Sequence, residues 1–168
     1  MQAFASLYSS FGRPCFNLAL RILGNRAQAE DLVQEVFLKM FGAIGSYRGD
    51  APFGSWLKRM AVNATIDQLR SQRHEADVDD AEAIFAAQPH DSAGPAAALD
   101  AWSLLQRLPP RARAVLVLHE FEGYTHAELA ALFGQSESYS KSILARALKR
   151  LGELVTSSEE SMPCPSRN

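Results

Sequence analysis

The chain has 168 residues, of which 47% are hydrophobic and 21% charged, with a formal net charge of −2 and two cysteines. That length fits one ordinary domain or two small ones, and the hydrophobic share excludes wholesale disorder. Two cysteines, one in an apolar pattern (Cys15) and one in a Pro/Ser tail (Cys164), exclude a disulfide framework and a metal site. No run approaches the roughly 18 apolar residues of a membrane span.

The N-terminus lacks a basic-then-apolar leader pattern, so a cytoplasmic protein without membrane insertion of its own is expected. The periodicity is helical throughout, and no period-two strand stands out. Phe4, Leu7, Tyr8 and Phe11 recur at helical spacing before Gly12 and Pro14, which are expected to interrupt the helix. Leu18, Ala19, Ile22 and Leu23 resume the stripe up to a stop at Gly24. Asn25 followed by Gln28 reads as a capping box. It opens a long helix whose buried side is expected to hold Leu32, Val33, Val36, Phe37, Met40, Phe41 and Ile44. After Gly45 comes a short loop, "YRGDAPFG", feeding a helix expected from about Ser55 to Arg73.

Residues 74–95 change character, and a flexible acidic linker with a helical turn near Ala81–Ala87 is expected there. Helices restart near Ala96, pause at "LPPR", and continue to about Glu122 before Gly123. Thr125 caps a short helix ending at Phe133. Gly134–Gln135–Ser136 makes a turn, a last helix runs from about Glu137 to Val155, and residues 156–168 are expected to be a disordered tail. The expected architecture is all-α: residues 1–73 and 96–155 form two small helical domains joined by the tether at 74–95.

Charge follows these divisions. Residues 1–73 carry nine Lys/Arg against five Asp/Glu, residues 74–100 seven acids and no cation, and residues 101–155 seven cations against five acids. The net acidity therefore belongs to the linker, and both domains are mildly basic, as suits nucleic-acid partners.

Two constellations carry the functional reading. In "THAELAALFGQSESYSKSILARALKRL" two helices meet at a tight turn. Ala130 is small at the crossing, Gly134 permits a positive φ, and Leu129 and Phe133 face inward. A second helix after such a turn suits the DNA major groove. Ser138, Tyr139, Lys141 and Ser142 would meet base edges or phosphates, and Arg146, Lys149 and Arg150 the backbone. An ordinary helical hairpin with a solvated basic face fits the same spacing. In the N-terminal half, Trp56, Arg59, Asn63, Asp67 and Arg70 share one helix face, headed by the loop with Tyr47, Arg48 and Phe53. Aromatics beside cations suit opened or single-stranded DNA. Equally, the aromatics could pin the loop to a core while the charges meet water. Asp31, Gln34, Glu35 and Lys39 form a polar face on the preceding helix, either solvated or docking. No catalytic set stands out: "HEFEGYTH" separates His119 and His126 by seven positions, which is not the H-E-x-x-H zinc arrangement. No cofactor is expected.

With both halves laid out, the sequence resembles the bacterial sigma-70 family, specifically its short extracytoplasmic-function (group IV) sigma factors. "LALRILGNRAQAEDLVQEVFLKMF" is similar to the family's first conserved region. "YRGDAPFGSWLKRMAVNATIDQLRSQR" is similar to its promoter-opening segment, and "LQRLPPRARAVLVLHEFEGYTHAELAALFG" to its second DNA-binding region. The resemblance implies a non-enzymatic initiation subunit with several partners: core RNA polymerase, promoter DNA and an anti-sigma factor. It implies that Asp31, Gln34, Glu35 and Phe37 dock on the clamp helices of the polymerase's largest subunit. The C-terminal domain would meet the flap. Arg48, Phe53, Trp56, Arg59, Asn63, Arg70 and Arg73 would read and melt the −10 element, the loop receiving a flipped base. Ser138, Tyr139, Lys141, Ser142, Arg146 and Lys149 would read the −35 element.

The family usually continues S-x-G-T-V-K-S-R after the turn. Here Gln135 stands at the preceding apolar position, Ser138 at Gly, Tyr139 at Thr, Ser140 at Val and Ile143 at Arg. Losing the valine contact is expected to cost about 1 kcal/mol or more unless Tyr139 or Ile143 repacks the site. The alternative is a stand-alone helix-turn-helix regulator, or a protein-binding adaptor with weakened DNA reading.

Overall fold

The structure of the protein, a computed structural model, describes residues 2–71 and 101–160, helical with no strand among them. The expected linker at 74–95, its turn near Ala81–Ala87, and residues 161–168 lie outside the described residues. Contacts divide the chain into two compact units.

The first unit packs three helices pairwise: α1 (Gln2–Leu23), α2 (Arg26–Ala43) and α3 (Phe53–Ser71). The expected break in α1 does not occur; Pro14 sits inside a continuous helix. Proline removes one backbone bond, here to Ser10, and both residues are exposed, so water can satisfy the freed carbonyl. Opposite, Cys15, Leu18, Ala19 and Ile22 are buried and hold the helix in register against its neighbours. Gly24 ends α1 at φ 72°. Asn25 then caps α2, its side chain accepting from the Gln28 N–H at 3.1 Å.

Ala29, Leu32, Val33, Val36, Phe37 and Met40 bury the inner stripe of α2. Phe41 and Ile44, expected in that stripe, are 47% and 43% exposed. The inner stripe ends at Met40, and α2 gives way after Ala43 to a 3-10 turn (Ile44–Ser46), so the last apolar positions have little to pack against. Leu57, Ala61, Val62, Ala64, Thr65 and Ile66 form the matching face of α3. Burying a side chain such as Phe37 or Leu57 contributes about 1.5–3 kcal/mol.

The second unit contains α4 (Ala101–Gln106), α5 (Pro110–Leu116), α6 (His126–Phe133) and α7 (Glu137–Glu160). The helix expected to run evenly to Glu122 instead widens into a π turn at Val117–Phe121, with the Glu122 N–H reaching back to the Val117 carbonyl. Gly123, at φ 75°, ends it. Leu108, Val115, Leu118, Leu129, Ile143 and Ala147 are fully buried and join these elements. Arg113 is buried among them and donates to the Gln106 side-chain oxygen at 3.1 Å; burial pushes its pKa down to about 10. The helix α7 continues to Glu160, so residues 156–160 extend it where a disordered tail was expected.

Candidate nucleic-acid interface

The loop between α2 and α3 is built to be short and rigid. Ser46 donates to the Ala43 carbonyl at 2.7 Å, and the Tyr47 hydroxyl donates across the loop to the Ala51 carbonyl at 2.6 Å. Gly49 adopts φ 79°, a left-handed conformation that costs glycine nothing. The Pro52 carbonyl then accepts the first bonds of α3, from Ser55 and Trp56.

Four rings hold this junction together. Tyr47 lies 5.6 Å from Phe53 and 5.2 Å from Trp56, Phe53 lies 5.5 Å from Trp56, and Phe11 of α1 reaches Phe53 at 5.4 Å. Such pairs contribute about 0.5–1.5 kcal/mol each beyond their buried area. All four are half-buried, so the aromatics do pin the loop. The polar groups do not join them. Arg48, Arg59, Asn63 and Arg70 are exposed, as are Lys58 and Asp67, and Arg70 meets Asp67 at 3.4 Å. The result is a rigid aromatic base carrying an open face of guanidinium and amide groups. Arg73 lies outside the described residues.

On α2, Asp31, Gln34 and Glu35 are exposed opposite the buried stripe. Glu35 holds Lys39 at 2.6 Å, and that hydrogen bond raises the lysine's pKa. Phe37 does not belong to this surface. It is 2% exposed and packs its ring 4.9 Å from Tyr8, anchoring α2 to α1. Leu38, 72% exposed, and Phe41 continue the Gln34 face instead. The sequence reading placed Phe41 in the buried stripe and gave Leu38 no role; their positions four and seven after Gln34, on one helix face, were the available signal.

In the second unit the expected turn is present. Thr125 and Glu128 form a reciprocal capping box at the start of α6, and Gly134 ends it at φ 64°. The early residues of α7 divide. Ser138 and Lys141 are exposed, Lys141 lying 3.6 Å from Glu137, whereas Tyr139, Ser142 and Arg146 are half-buried. Arg111 stands over the rings of both Tyr139 and Phe133, at 5.1 and 5.3 Å, which fixes Tyr139 against the turn. Lys149 and Arg150 are exposed further along, Arg150 beside Glu153.

The valine-to-serine departure has a structural answer. Ser140 is 3% exposed, and its Oγ lies 3.0 Å from His126 Nδ1 on α6. The His126 ring stacks on His119 at 4.4 Å, and the His119 Nδ1 donates to the Tyr124 carbonyl at 2.7 Å. Burial first, and then the His119 and Lys141 charges, lower the His126 pKa. Ile143, which stands where the family has arginine, is fully buried in the core of this unit. Among the described residues no cluster fit to hold a metal ion occurs, and no helix is long and apolar enough to cross a membrane.

Residues 7–75 match Sigma-70 region 2, and residues 98–151 match Sigma-70 region 4. The chain belongs to the sigma-70 family. Among curated relatives it is 33% identical to the RNA polymerase sigma factor CarQ of Myxococcus xanthus, over 91% of this chain and 89% of CarQ. It is 32% identical to the ECF RNA polymerase sigma factor SigM of Mycobacterium tuberculosis, over 91% of this chain and 77% of that one. Among solved structures, the fold is similar to that of the sigma factor RpoE of Bartonella quintana (TM-score 0.59, 22% identity), covering 93% of this chain and 98% of that one. This is an extracytoplasmic-function sigma factor, and it directs promoter-specific transcription initiation with RNA polymerase. Two sigma regions in the family's order do not favour a stand-alone helix-turn-helix regulator.

Proposed function

We propose that this sigma factor divides its work between the two units. Residues 1–73 open and read the −10 element, residues 96–155 read the −35 element, and residues 74–95 tether them. The observation that carries the reading is the exposed face of Arg48, Arg59, Asn63 and Arg70 on a junction fixed by packed rings. A rigid junction spends no binding energy on ordering itself, so its cations and amide meet a separated strand already placed. Phe53 and Trp56 serve as the base of that loop, and Asn63 contributes the pairing edge that distinguishes bases. Asp31, Gln34 and Glu35, with Leu38 and Phe41, dock on the clamp helices of the polymerase's largest subunit. The C-terminal unit meets the flap.

On α7, Ser138, Lys141 and Ser142 approach base edges, Arg146 and Lys149 the phosphates, and Tyr139 holds the helix start against Arg111. The factor has no chemistry of its own and works in the cytoplasm. It is held in check by an anti-sigma factor, the kind of partner with which the similar fold of RpoE was solved.

Run-off transcription with core polymerase on native promoter fragments tests this. Arg59→Ala and Arg70→Ala should each lower open-complex formation about tenfold, the loss of one charge-assisted contact. Asn63→Ala should relax −10 preference while core binding stays intact. Unchanged opening in all three variants overturns the proposed face.

A further inference from the structure

We propose that His126 is a positioning residue for −35 reading, holding the start of α7 through Ser140 more firmly while its imidazole is neutral, so that mild acid loosens the recognition helix. This rests on the reading that α7 meets the −35 element.

Position 140 is where the family pattern places an apolar clamp between the two helices. Here a buried hydroxyl takes that place, and the imidazole of the first residue of α6 supplies its partner at 3.0 Å. Every group around that ring bears on its charge. From the π turn, His119 stacks on it at 4.4 Å with the rings within 20° of parallel, and Glu120 stands beyond, its Oε1 4.0 Å from His119 Nε2. From α7 come Glu137 and Lys141, which lie 3.6 Å from each other and so largely offset one another's field. On its own helix, Glu128 is engaged by the Thr125 cap.

A carbonyl only accepts, so His119 Nδ1 bears the hydrogen that points to Tyr124, with Nε2 toward Glu120. Positive charge on His126 is opposed by the imidazole stacked against it. The partial positive charge at the N-terminal end of α6 opposes it as well. Protonated His126 can only donate to Ser140. The serine hydroxyl must then turn its proton elsewhere, and the carbonyl four residues back, that of Ser136, already accepts the Ser140 N–H at 3.2 Å, so the hydroxyl can only share that acceptor.

The direction follows by linkage. The His126 pKa is lowered from its ordinary 6.5, so above that pH both folded and opened states are neutral and the helix junction is fully held. As pH falls through 6.5 the opened state takes up protons first, and the junction loses stability. A valine clamp has no such dependence.

The test uses the full chain. Amide exchange, corrected for its intrinsic pH dependence, is followed over residues 137–143 at pH 7.5 and 5.5, with residues 57–66 of the other unit as the internal standard. Protection over 137–143 should fall at least about threefold relative to the standard in the wild type, and stay within about twofold in His126→Gln and Ser140→Val. Ser140→Val restores an apolar clamp and keeps the test decisive if His126→Gln fails to fold. An equal fall in wild type and variants, or no fall in the wild type, overturns the proposal. With core polymerase, the ratio of initiation from an intact to a −35-substituted promoter is then measured at pH 7.5 and 6.0. The wild-type ratio should fall at least about threefold and the variant ratios should hold. A pH-invariant wild-type ratio overturns the inference alone. Indifference to the −35 element at pH 7.5 overturns the underlying reading of α7.

Discussion

Gly54 lacks a side chain because Phe11 occupies the space one would need. A Cβ at that position would lie 2.8 Å from the Phe11 ring, well inside contact distance. Phe11 cannot retreat freely, since the same ring packs on Phe53 at 5.4 Å. Gly54→Ala should therefore cost about 1–3 kcal/mol by overpacking and tilt the loop that carries Arg48. Thermal melting and promoter opening check this together: both should decline in Gly54→Ala, and Phe11→Leu should restore melting in the double variant. If Gly54→Ala melts and opens like the wild type, the loop is not held by this contact. The case also shows what a sequence conveys at this scale. Tyr47, Phe53 and Trp56 were visible as a loop cluster, but whether they faced a base or one another depended on Phe11, 42 positions away in sequence. The docking role implied for Phe37 went wrong for a related reason: adjacency to Asp31 and Glu35 in a motif says nothing of which way the helix turns it, whereas the periodicity placed it in the buried stripe, where it lies.

Helix ends were legible because their chemistry is local. Asn25 before α2 and Thr125 before α6 each satisfy a backbone N–H within three residues, so the signal sits in a four-residue window. Pro14 and the π turn were not legible, since packing decides both. A proline is tolerated where its freed carbonyl meets water, and a helix widens where Val117 and Leu118 on the inside fix its path. Capping can be compared between the units. Asn25→Ala loses one acceptor, whereas Thr125→Ala loses both the acceptor for the Glu128 N–H and the hydroxyl's 2.9 Å bond to the Glu128 carboxylate, the backbone N–H bond to that carboxylate at 2.8 Å remaining. Each should cost about 1 kcal/mol, with Thr125→Ala at the upper end of the usual 0.5–2 kcal/mol. Urea titration reads this as a lower midpoint at unchanged slope. Equal midpoints for Thr125→Ala and wild type would mean that the box does not hold α6.

Over the whole molecule, charge is sorted rather than balanced. Net −2 conceals two basic portions on either side of residues 74–100, which carry seven acids and no cation. Both basic portions present cations on open faces, Arg48, Arg59 and Arg70 in one and Lys141, Lys149 and Arg150 in the other. Cations on open faces bind any DNA, since phosphate attraction carries no sequence information. Seven carboxylates in the same chain oppose that attraction wherever they come within a Debye length, roughly 8–10 Å at moderate salt. On the proposed reading, contacts made only at a promoter, by Asn63 and the residues of α7, are short-ranged and escape most of this penalty. The acidic stretch should then lower nonspecific binding more than promoter binding. Replacing the seven carboxylates by their amides should raise affinity for random duplex at 50 mM salt by about tenfold or more, and should do so far less at 200 mM. Promoter discrimination in the holoenzyme should fall in parallel. Fluorescence anisotropy at both salt concentrations measures the first, and initiation in the presence of competitor DNA measures the second. An amide variant that binds random duplex no better than wild type at low salt would show that residues 74–100 carry their charge for some reason other than DNA selectivity.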